Sequence, residues 1–227
     1  MECDVRKLYI FGTQNFAEIS HYHFAGDSQY EVAGFTSDGA YLDRTSFKGL
    51  PVIAYEELRA SVSPDDADLF VAIGVGKINT LRAQKVAQLQ ADGFRLASFV
   101  SSSASVPPDL VVGPNTMIMD HAILHPWVRV GFDTIIWSAT RIALKARIGD
   151  HAWITSAVIG DSTTIGDYSF VGLNATIASF VTVGRHNLIG AGAVILKDTK
   201  DYEVYKGSRS RPSPVSSLRL RNIQLVR

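Results

Sequence analysis

The sequence predicts two folds in succession, an α/β domain with a parallel sheet and then a parallel β-helix. Two observations predict this order. Short apolar runs alternate with helix-like stretches up to about residue 100, and from Val106 onward an aliphatic residue recurs every six positions. The length of 227 residues suits one small domain followed by a stack of short strands.

The first hundred residues alternate strands and helices. Apolar runs predict strands, and the stretches between them predict helices. The predicted strands are 7–12, 30–38, 50–54, 67–74 and 94–100, and the predicted helices are 15–25, 55–60 and 77–93. This alternation is typical of a parallel sheet, which binds ligands at the carboxyl ends of its strands. Those ends lie here at Gly12, Asp38 and Gly74.

The second part keeps a six-residue period that no helix can hold on one face. The series runs from Val106 to Ile195, with one five-residue step between Ile154 and Ile159. A stack of short strands satisfies such a period, one strand per hexapeptide and three per coil. We expect the aliphatic residue to point inward, a small residue four places later to fill the same space, and the frequent following Gly to permit the tight corner. Asn187 is the exception among the small residues.

Composition excludes several classes of function. Lys plus Arg and Asp plus Glu both number 22, so the formal charge is zero, which argues against nucleic acid and membrane surfaces as partners. No apolar run approaches the ~18 residues of a membrane span. The single cysteine, Cys3, cannot form an internal disulfide, which suits the cytoplasm. No metal site is expected, because His121 and His125 lie on different predicted corners.

Several motifs together carry a resemblance to a known family. They are FGTQNFAE (11–18), VAIGVGKINTLR (71–82), IIWS (135–138), IGDHAWI (148–154), FVGLNATI (170–177) and LIGAGAVILKDT (188–199). The chain resembles the hexapeptide-repeat acyltransferases, whose β-helix is left-handed, and more narrowly the bacterial sugar acyltransferases. This implies a Rossmann-like nucleotide-sugar-binding domain at 1–104, a β-helical acyltransferase domain at 105–199 and a tail at 200–227.

The resemblance also implies an activity. Similar proteins are homotrimers that transfer an acyl group from acyl-CoA, here by default acetyl-CoA, to a nucleotide-linked sugar. Their products serve surface polysaccharide and glycan assembly, including lipopolysaccharide. We expect an amino sugar as the preferred acceptor.

The resemblance suggests where each substrate binds. The nucleotide sugar is expected near Gly12, Asp38 and Gly74, with Asn79 and Arg82 reaching the pyrophosphate. The segment after Gly12 lacks the second and third glycines of G-x-G-x-x-G, which argues against a dinucleotide. On the donor side, we expect backbone N–H groups and basic side chains to hold acyl-CoA. These residues are Gly190, Ala191, Gly192, Lys197, Arg209 and Arg211.

The position of the catalytic base departs from the family pattern. In similar enzymes a histidine occupies the corner that spans 143–145 here, and a second histidine of some relatives falls on Trp153. Leu144 cannot accept a proton, and an exposed Lys145 is protonated at neutral pH.

Three readings stay open for this corner. In the first, the acceptor is an amine and the reaction needs no base. In the second, His125, one coil below Ala143, replaces the missing base. In the third, the protein binds a nucleotide sugar without catalysis. His151 and His186 are expected to be exposed corner residues in nearly one column. Trp137 and Trp153 are expected to cover the β-helix rather than to stack on a sugar.

Overall fold

The computed structural model describes residues 5–219. The elements of its first part are β1 (Lys7–Phe11), α1 (Asn15–Gly26), β2 (Glu31–Ser37), a 3₁₀ helix (Gly39–Tyr41), β3 (Ser46–Phe47), β4 (Leu50–Ala54), α2 (Tyr55–Ser61), β5 (Ala67–Val71) and α3 (Thr80–Ala91). The five strands form one sheet in the order β3-β4-β2-β1-β5. All neighbours pair in parallel except β3, which forms an antiparallel hairpin with β4.

Several elements of this part differ from the prediction, which lacks β3 and extends β5 to residue 74 rather than to Val71. Helix α3 begins at Thr80 rather than at 77, because Lys77, Ile78 and Asn79 all take left-handed backbone conformations with φ of 49°, 49° and 61°. The predicted strand over 94–100 is confined to Phe99–Val100. That short strand pairs with Met117–Ile118 of the β-helix and starts the second part of the molecule, while Leu96 before it forms a single parallel bridge with Leu69 of β5.

The second part is a parallel β-helix with three faces. The first face has seven strands, the second five and the third four. The first face comprises Phe99–Val100, Met117–Ile118, Ile135–Ile136, Trp153–Ile154, Phe170–Val171, Leu188–Ile189 and Val204–Tyr205. The second face comprises Ile123–Leu124, Arg141–Ile142, Val158–Ile159, Thr176–Ile177 and Val194–Ile195. The third face comprises Arg129–Val130, Arg147–Ile148, Thr164–Ile165 and Thr182–Val183. The predicted order, an α/β sheet and then a β-helix, is confirmed.

The six-residue period fills the interior as expected, with the aliphatic residues and the small residues in one buried cluster. The predicted role of the glycines is wrong. The left-handed corner position lies three places after the aliphatic residue, as at Lys145 and Tyr168. The glycines instead allow neighbouring coils to approach: a Cβ on Gly166 would lie 2.6 Å from the carbonyl carbon of Gly184.

The two irregularities of the period are absorbed locally. The five-residue step leaves the strand register intact, since Val158 pairs with Arg141 and Ile159 with Ile142. Asn187 is fully buried, and its side chain bonds Thr199 and accepts from the backbone N–H of Glu203. A polar residue is therefore tolerated at this inward position because both ends of its amide are satisfied.

The α/β part packs on the first face of the β-helix. Met117, Ile135 and Trp153 of that face belong to the same buried cluster as Phe16 and Phe24 of α1. The ring centroids of Phe16 and Trp153 are 4.8 Å apart. This apolar contact makes the two parts share one core.

A buried polar network lies beside that contact. Arg82 of α3 is fully buried; its Nε donates to Asp133 Oδ1 at 2.9 Å, and its Nη2 donates to the carbonyl oxygens of Asp133 and His151 at 3.0 and 2.9 Å. Asp133 Oδ2 lies 2.7 Å from His151 Nδ1. Burial lowers the pKa of Arg82, and the neighbouring Asp133 opposes that shift.

Asparagines extend the network at both ends. Asn115 donates to Asp133 Oδ1 at 2.7 Å and exchanges two hydrogen bonds with the backbone of Val71, at the end of β5. Asn79 accepts from Arg82 and donates to the carbonyl oxygen of Tyr168 at 3.1 Å. The network therefore ties β5 and the start of α3 to one corner of the β-helix.

The ends of the chain add little to the described fold. After the strand at Val204–Tyr205, a 3₁₀ helix spans Ser217–Arg219. Cys3 and the last residues of the predicted tail lie outside the described residues. In the described part of the chain, no helix is both long enough and apolar enough to cross a membrane.

Replacing Arg82 by methionine tests the network. Arg82→Met leaves Asp133 buried without its cation, so we expect the free energy of unfolding to fall by about 3–5 kcal/mol in denaturant titrations. Arg44→Met is the control, because Arg44 pairs with Asp43 on the exposed surface, and its loss should leave the free energy of unfolding almost unchanged. Equal losses in the two variants would show that the network does not stabilise the junction.

Candidate functional site

A cavity of about 480 Å³ opens at the carboxyl ends of the strands in the α/β part. It lies beside the beginning of α1, and helix α3 forms one wall. The lining residues are Phe11, Gly12, Thr13, Gln14, Ser37, Asp38, Tyr41, Ile73, Leu81, Gln84, Lys85 and Gln88. This is the edge at which parallel sheets bind their ligands.

Gly12 shapes the wall of the cavity next to α1. Its φ of +126° is a conformation that side-chain-bearing residues rarely adopt, and a Cβ would lie 2.9 Å from the carbonyl oxygen of Ala72. Its N–H donates to the carbonyl oxygen of Thr36 at 2.8 Å, which ties the ends of β1 and β2 together. Helix α1 follows with Gln14 at its N-cap and no side-chain cap, so its first amides are suited to an anion.

Asp38 and Lys85 form an ion pair in this cavity. Lys85 Nζ lies 2.7 Å and 2.9 Å from the two carboxylate oxygens of Asp38. The same ammonium lies 4.7 Å from the ring centroid of Phe11 and 5.8 Å from that of Tyr55. Sequence reasoning did not single out Lys85, because on a predicted amphipathic helix it has the pattern of any surface lysine.

The other predicted nucleotide-sugar residues lie differently. Gly74 directly follows the lining residue Ile73 at the cavity. Asn79 and Arg82 are fully buried in the network at the junction, and every nitrogen of the Arg82 guanidinium is engaged there. The expectation that these two side chains reach a pyrophosphate is therefore wrong for this structure, because neither is accessible to a ligand.

The corner that spans 143–145 carries no histidine side chain. The N–H of Leu144 donates to Asp161 Oδ1 at 3.0 Å. Lys145 is exposed, and its ammonium lies 5.6 Å from the ring centroid of Trp127. His125 is half-buried, and the pairing of Leu124 with Ile142 places it beside Ala143, one coil away.

The other corner histidines stand in one column, as expected. Ring centroids are 4.6 Å apart for His151 and Tyr168, 4.4 Å for Tyr168 and His186, and 5.0 Å for His186 and Tyr202. His151 is not an exposed corner residue, however. It is buried, and its Nδ1 faces the carboxylate of Asp133.

The two tryptophans that the sequence pattern singled out lie under α1. Trp153 is buried between Phe16 and Arg82, which fits the expected covering role. Trp137 is half-buried, and its ring centroid is 5.8 Å from that of Trp153. The buried indole N–H of Trp137 has no hydrogen-bond partner among the described residues.

The expected donor surface lies on the last coil. Ala191 and Gly192 are exposed at a corner, and the backbone at Gly207 packs directly against Ala191. Gly190 is half-buried, and its N–H donates to the carbonyl oxygen of Tyr205 at 2.7 Å, so that amide is already engaged. The predicted basic residues Lys197, Arg209 and Arg211 are exposed. Over residues 5–219, no group of three or more His, Cys, Asp or Glu side chains is arranged to hold a metal ion.

Comparisons with known proteins agree with this geometry. The family described as bacterial transferase hexapeptide (six repeats) matches residues 156–197. A bifunctional protein GlmU from Nitratidesulfovibrio vulgaris is 28% identical over 117 residues, which are 43% of this chain. The match spans only 26% of that relative's length.

Two solved structures resemble both parts of the chain. The acetyltransferase domain of PglB from Neisseria gonorrhoeae is 26% identical, with a TM-score of 0.80 over 92% of this chain and 100% of that one; it has also been solved with acetyl coenzyme A. PerB from Caulobacter crescentus, solved with CoA and GDP-perosamine, shares the fold at 22% identity, with a TM-score of 0.79 over 89% of this chain and 95% of that one. The chain thus resembles the hexapeptide-repeat acetyltransferases along most of its length, which confirms the family resemblance predicted from its sequence.

Proposed function

We propose that the protein is an acyltransferase that moves an acetyl group from acetyl-CoA to a nucleotide-linked sugar. The observation that carries this proposal is the cavity at Gly12 and Asp38, which lies in a domain packed on a hexapeptide-repeat β-helix. The similarity to the PglB acetyltransferase domain, which covers both parts of the chain, supports it. The reaction would belong to the assembly of surface polysaccharides or glycans.

The two substrates would use different parts of the molecule. The diphosphate would lie against the Gly12 loop and the first amides of α1, where the helix dipole favours an anion. Acetyl-CoA would lie along the exposed corner at Ala191 and Gly192, with Lys197, Arg209 and Arg211 near its phosphates. The zero net charge therefore does not exclude polyanionic substrates, because basic side chains near a binding site can pair with their phosphates.

We infer that the acceptor group is an amine. The amine nitrogen attacks the thioester carbonyl, the C–S bond breaks, and the proton lost from nitrogen ends on the coenzyme A thiol. A sugar amine has a pKa only about one or two units from neutrality, so part of it is already unprotonated. The lack of a histidine at the Leu144 corner suits this acceptor better than a hydroxyl, which gains more from general-base help.

We further infer that the protein acts as a homotrimer, with its second face against a neighbouring copy. Outward side chains of that face include Ile123, Val158 and Val194, which are 41%, 46% and 60% exposed. The outward residues of the third face are Arg or Thr. Apolar side chains aligned on one face favour an interface there.

Acceptor preference is tested by following thiol release from acetyl-CoA. We expect turnover with nucleotide-linked amino sugars to exceed that with the matching hydroxyl sugars by about a hundredfold or more, since a general base typically contributes about 10²–10⁴. Reactions without acceptor give the background rate. Faster turnover of the hydroxyl sugars would contradict the amine assignment, and no turnover alongside nucleotide-sugar binding would identify a binding protein instead.

His125 is the proposed base for any hydroxyl acceptor. His125→Ala should lower residual hydroxyl transfer by about a hundredfold and leave amine transfer unchanged, because only the hydroxyl needs proton removal. His121→Ala, at an exposed corner of the neighbouring turn, is the matched control. Hydroxyl transfer that survives in His125→Ala would remove His125 from the mechanism.

The trimer is tested by sedimentation equilibrium. We expect a trimeric mass for the unaltered protein and a shift toward monomer for Val158→Glu, which would bury a charge at the interface. Thr182→Glu places the same charge on the third face and should leave the mass unchanged. A monomeric unaltered protein, or equal effects of both variants, would refute this interface.

A further inference from the structure

We propose that the β-helix carries a second ligand site, which binds a saccharide with an anionic substituent, a carboxylate or a phosphate. The site consists of the ring of Trp127 and a basic patch, which comprises Arg129, Lys145 and Arg147. It lies on the third face and on the corner between the second and third faces, whereas the α/β part packs on the first face. This inference goes beyond the proposed acyl transfer and does not depend on it.

The basic patch results from the stacking of two coils. Arg129 and Arg147 are register partners in neighbouring parallel strands, and both are exposed. Neighbouring strands lie about 4.8 Å apart, so the two side chains project side by side. Lys145 precedes Arg147 by two residues, and its ammonium lies 5.6 Å from the ring centroid of Trp127. Three cations and one indole ring thus share a small area of the surface.

No acidic side chain neutralises this patch. Among residues 5–219, the salt bridges formed by Lys and Arg involve none of its three cations. Like charges at adjoining positions of neighbouring strands repel each other and lower the stability of the fold. A bound anion would remove that repulsion, so the arrangement indicates an anionic ligand.

The positive charge covers only these two coils. Thr164 is the register partner of Arg147 in the next strand, and Thr182 is the register partner of Thr164. In the other direction the patch ends at Arg129–Val130, which is the edge strand of the third face. A polyanion such as nucleic acid is bound through many more phosphate contacts. The ligand of the patch is therefore a small molecule.

A cavity of about 450 Å³ adjoins the patch at the edge strand, and Trp127 and Arg129 line it. The other lining residues are Pro107, Asp109, Leu110, Val111, Val128 and Val130. Its volume falls within the range of about 300–1,000 Å³ that is typical of small-molecule sites. Trp127 and Val111 are 65% and 83% exposed, so the chain itself does not cover this surface.

The mixed lining favours a saccharide over a simple anion. The C–H face of a pyranose ring is apolar and packs on an indole ring, while the rim of the sugar carries hydroxyl groups. Asp109 is exposed in the lining and can accept from hydroxyl groups, whereas Arg129 can donate to them. A carboxylate or phosphate on the sugar would pair with the guanidinium groups of Arg129 and Arg147.

Calorimetric titration of the full-length protein with glucuronate, glucose 6-phosphate and glucose tests this assignment. We expect both anionic sugars to bind about tenfold or more tightly than glucose, as a hydrogen bond between charged groups predicts. Arg129→Gln and Arg147→Gln should each lower the affinity for both anionic sugars by about tenfold. Trp127→Ala should weaken the binding of both sugars and leave the binding of inorganic phosphate unchanged.

Thermal unfolding and a matched variant serve as controls. Because Arg129 and Arg147 repel each other, Arg147→Gln should keep or raise the melting temperature. Arg185→Gln removes the same charge at another corner, where Arg185 lies 3.5 Å from Asp167, and it should leave sugar binding unchanged. A lower melting temperature for Arg147→Gln would assign the patch a structural role and overturn the proposal.

The remaining outcomes separate the kinds of ligand. Inorganic phosphate that binds as tightly as glucose 6-phosphate would identify a simple anion site and overturn the saccharide assignment. AMP that binds tenfold more tightly than glucose 6-phosphate, and loses that affinity in Arg147→Gln, would identify a nucleotide site and also overturn it. Failure of both anionic sugars to bind, or equal binding in the unaltered protein and the two arginine variants, would refute the site. None of these results bears on thiol release from acetyl-CoA, which tests the proposed function separately.

Discussion

The buried charge of Arg82 is the constraint around which the two parts of the molecule are arranged. A guanidinium without solvent must have all its donors paired, and most of the acceptors it uses belong to the β-helix corner at Asp133 and His151. Asp133 in turn accepts from Asn115, which also bonds the end of β5. Strand β5, helix α3 and the β-helix are therefore linked through the carboxylate of Asp133.

Helix α3 connects the buried network around Arg82 to the cavity. Arg82 enters the junction, and Lys85, one turn later on the same helix, bonds Asp38 at the cavity. The left-handed backbone of Ile78 is unfavourable for a β-branched residue, and Asn79 holds the adjoining turn through its bond to Tyr168. The position of the cavity wall relative to the β-helix is thus set by the same contacts that bury the arginine.

Much of the fold was predictable because local pattern and global packing agree. The hexapeptide period specifies which residues of the β-helix point inward, and its one short step falls where the corner absorbs it. The boundaries of α1, β2 and β4 follow from apolar runs in the same way. The start of α3 and the strand at Phe99–Val100 were not predictable, because contacts with the β-helix override the local pattern there.

Sequence alone determined the interior of the β-helix, the strand-end location of the cavity, and the absence of a histidine at Leu144. The first two depend on residue type at a periodic position or at the end of a strand, and the third depends on the resemblance to similar enzymes, so no distant contact is needed to infer them. Only the tertiary structure shows where the charged side chains of α3 lie and which residues they pair with. Arg82 and Lys85 lie three positions apart on one helix, yet one is buried against Asp133 and the other pairs with Asp38 in the cavity. Their partners come from distant segments, and an ion pair between distant segments leaves no local pattern in the sequence.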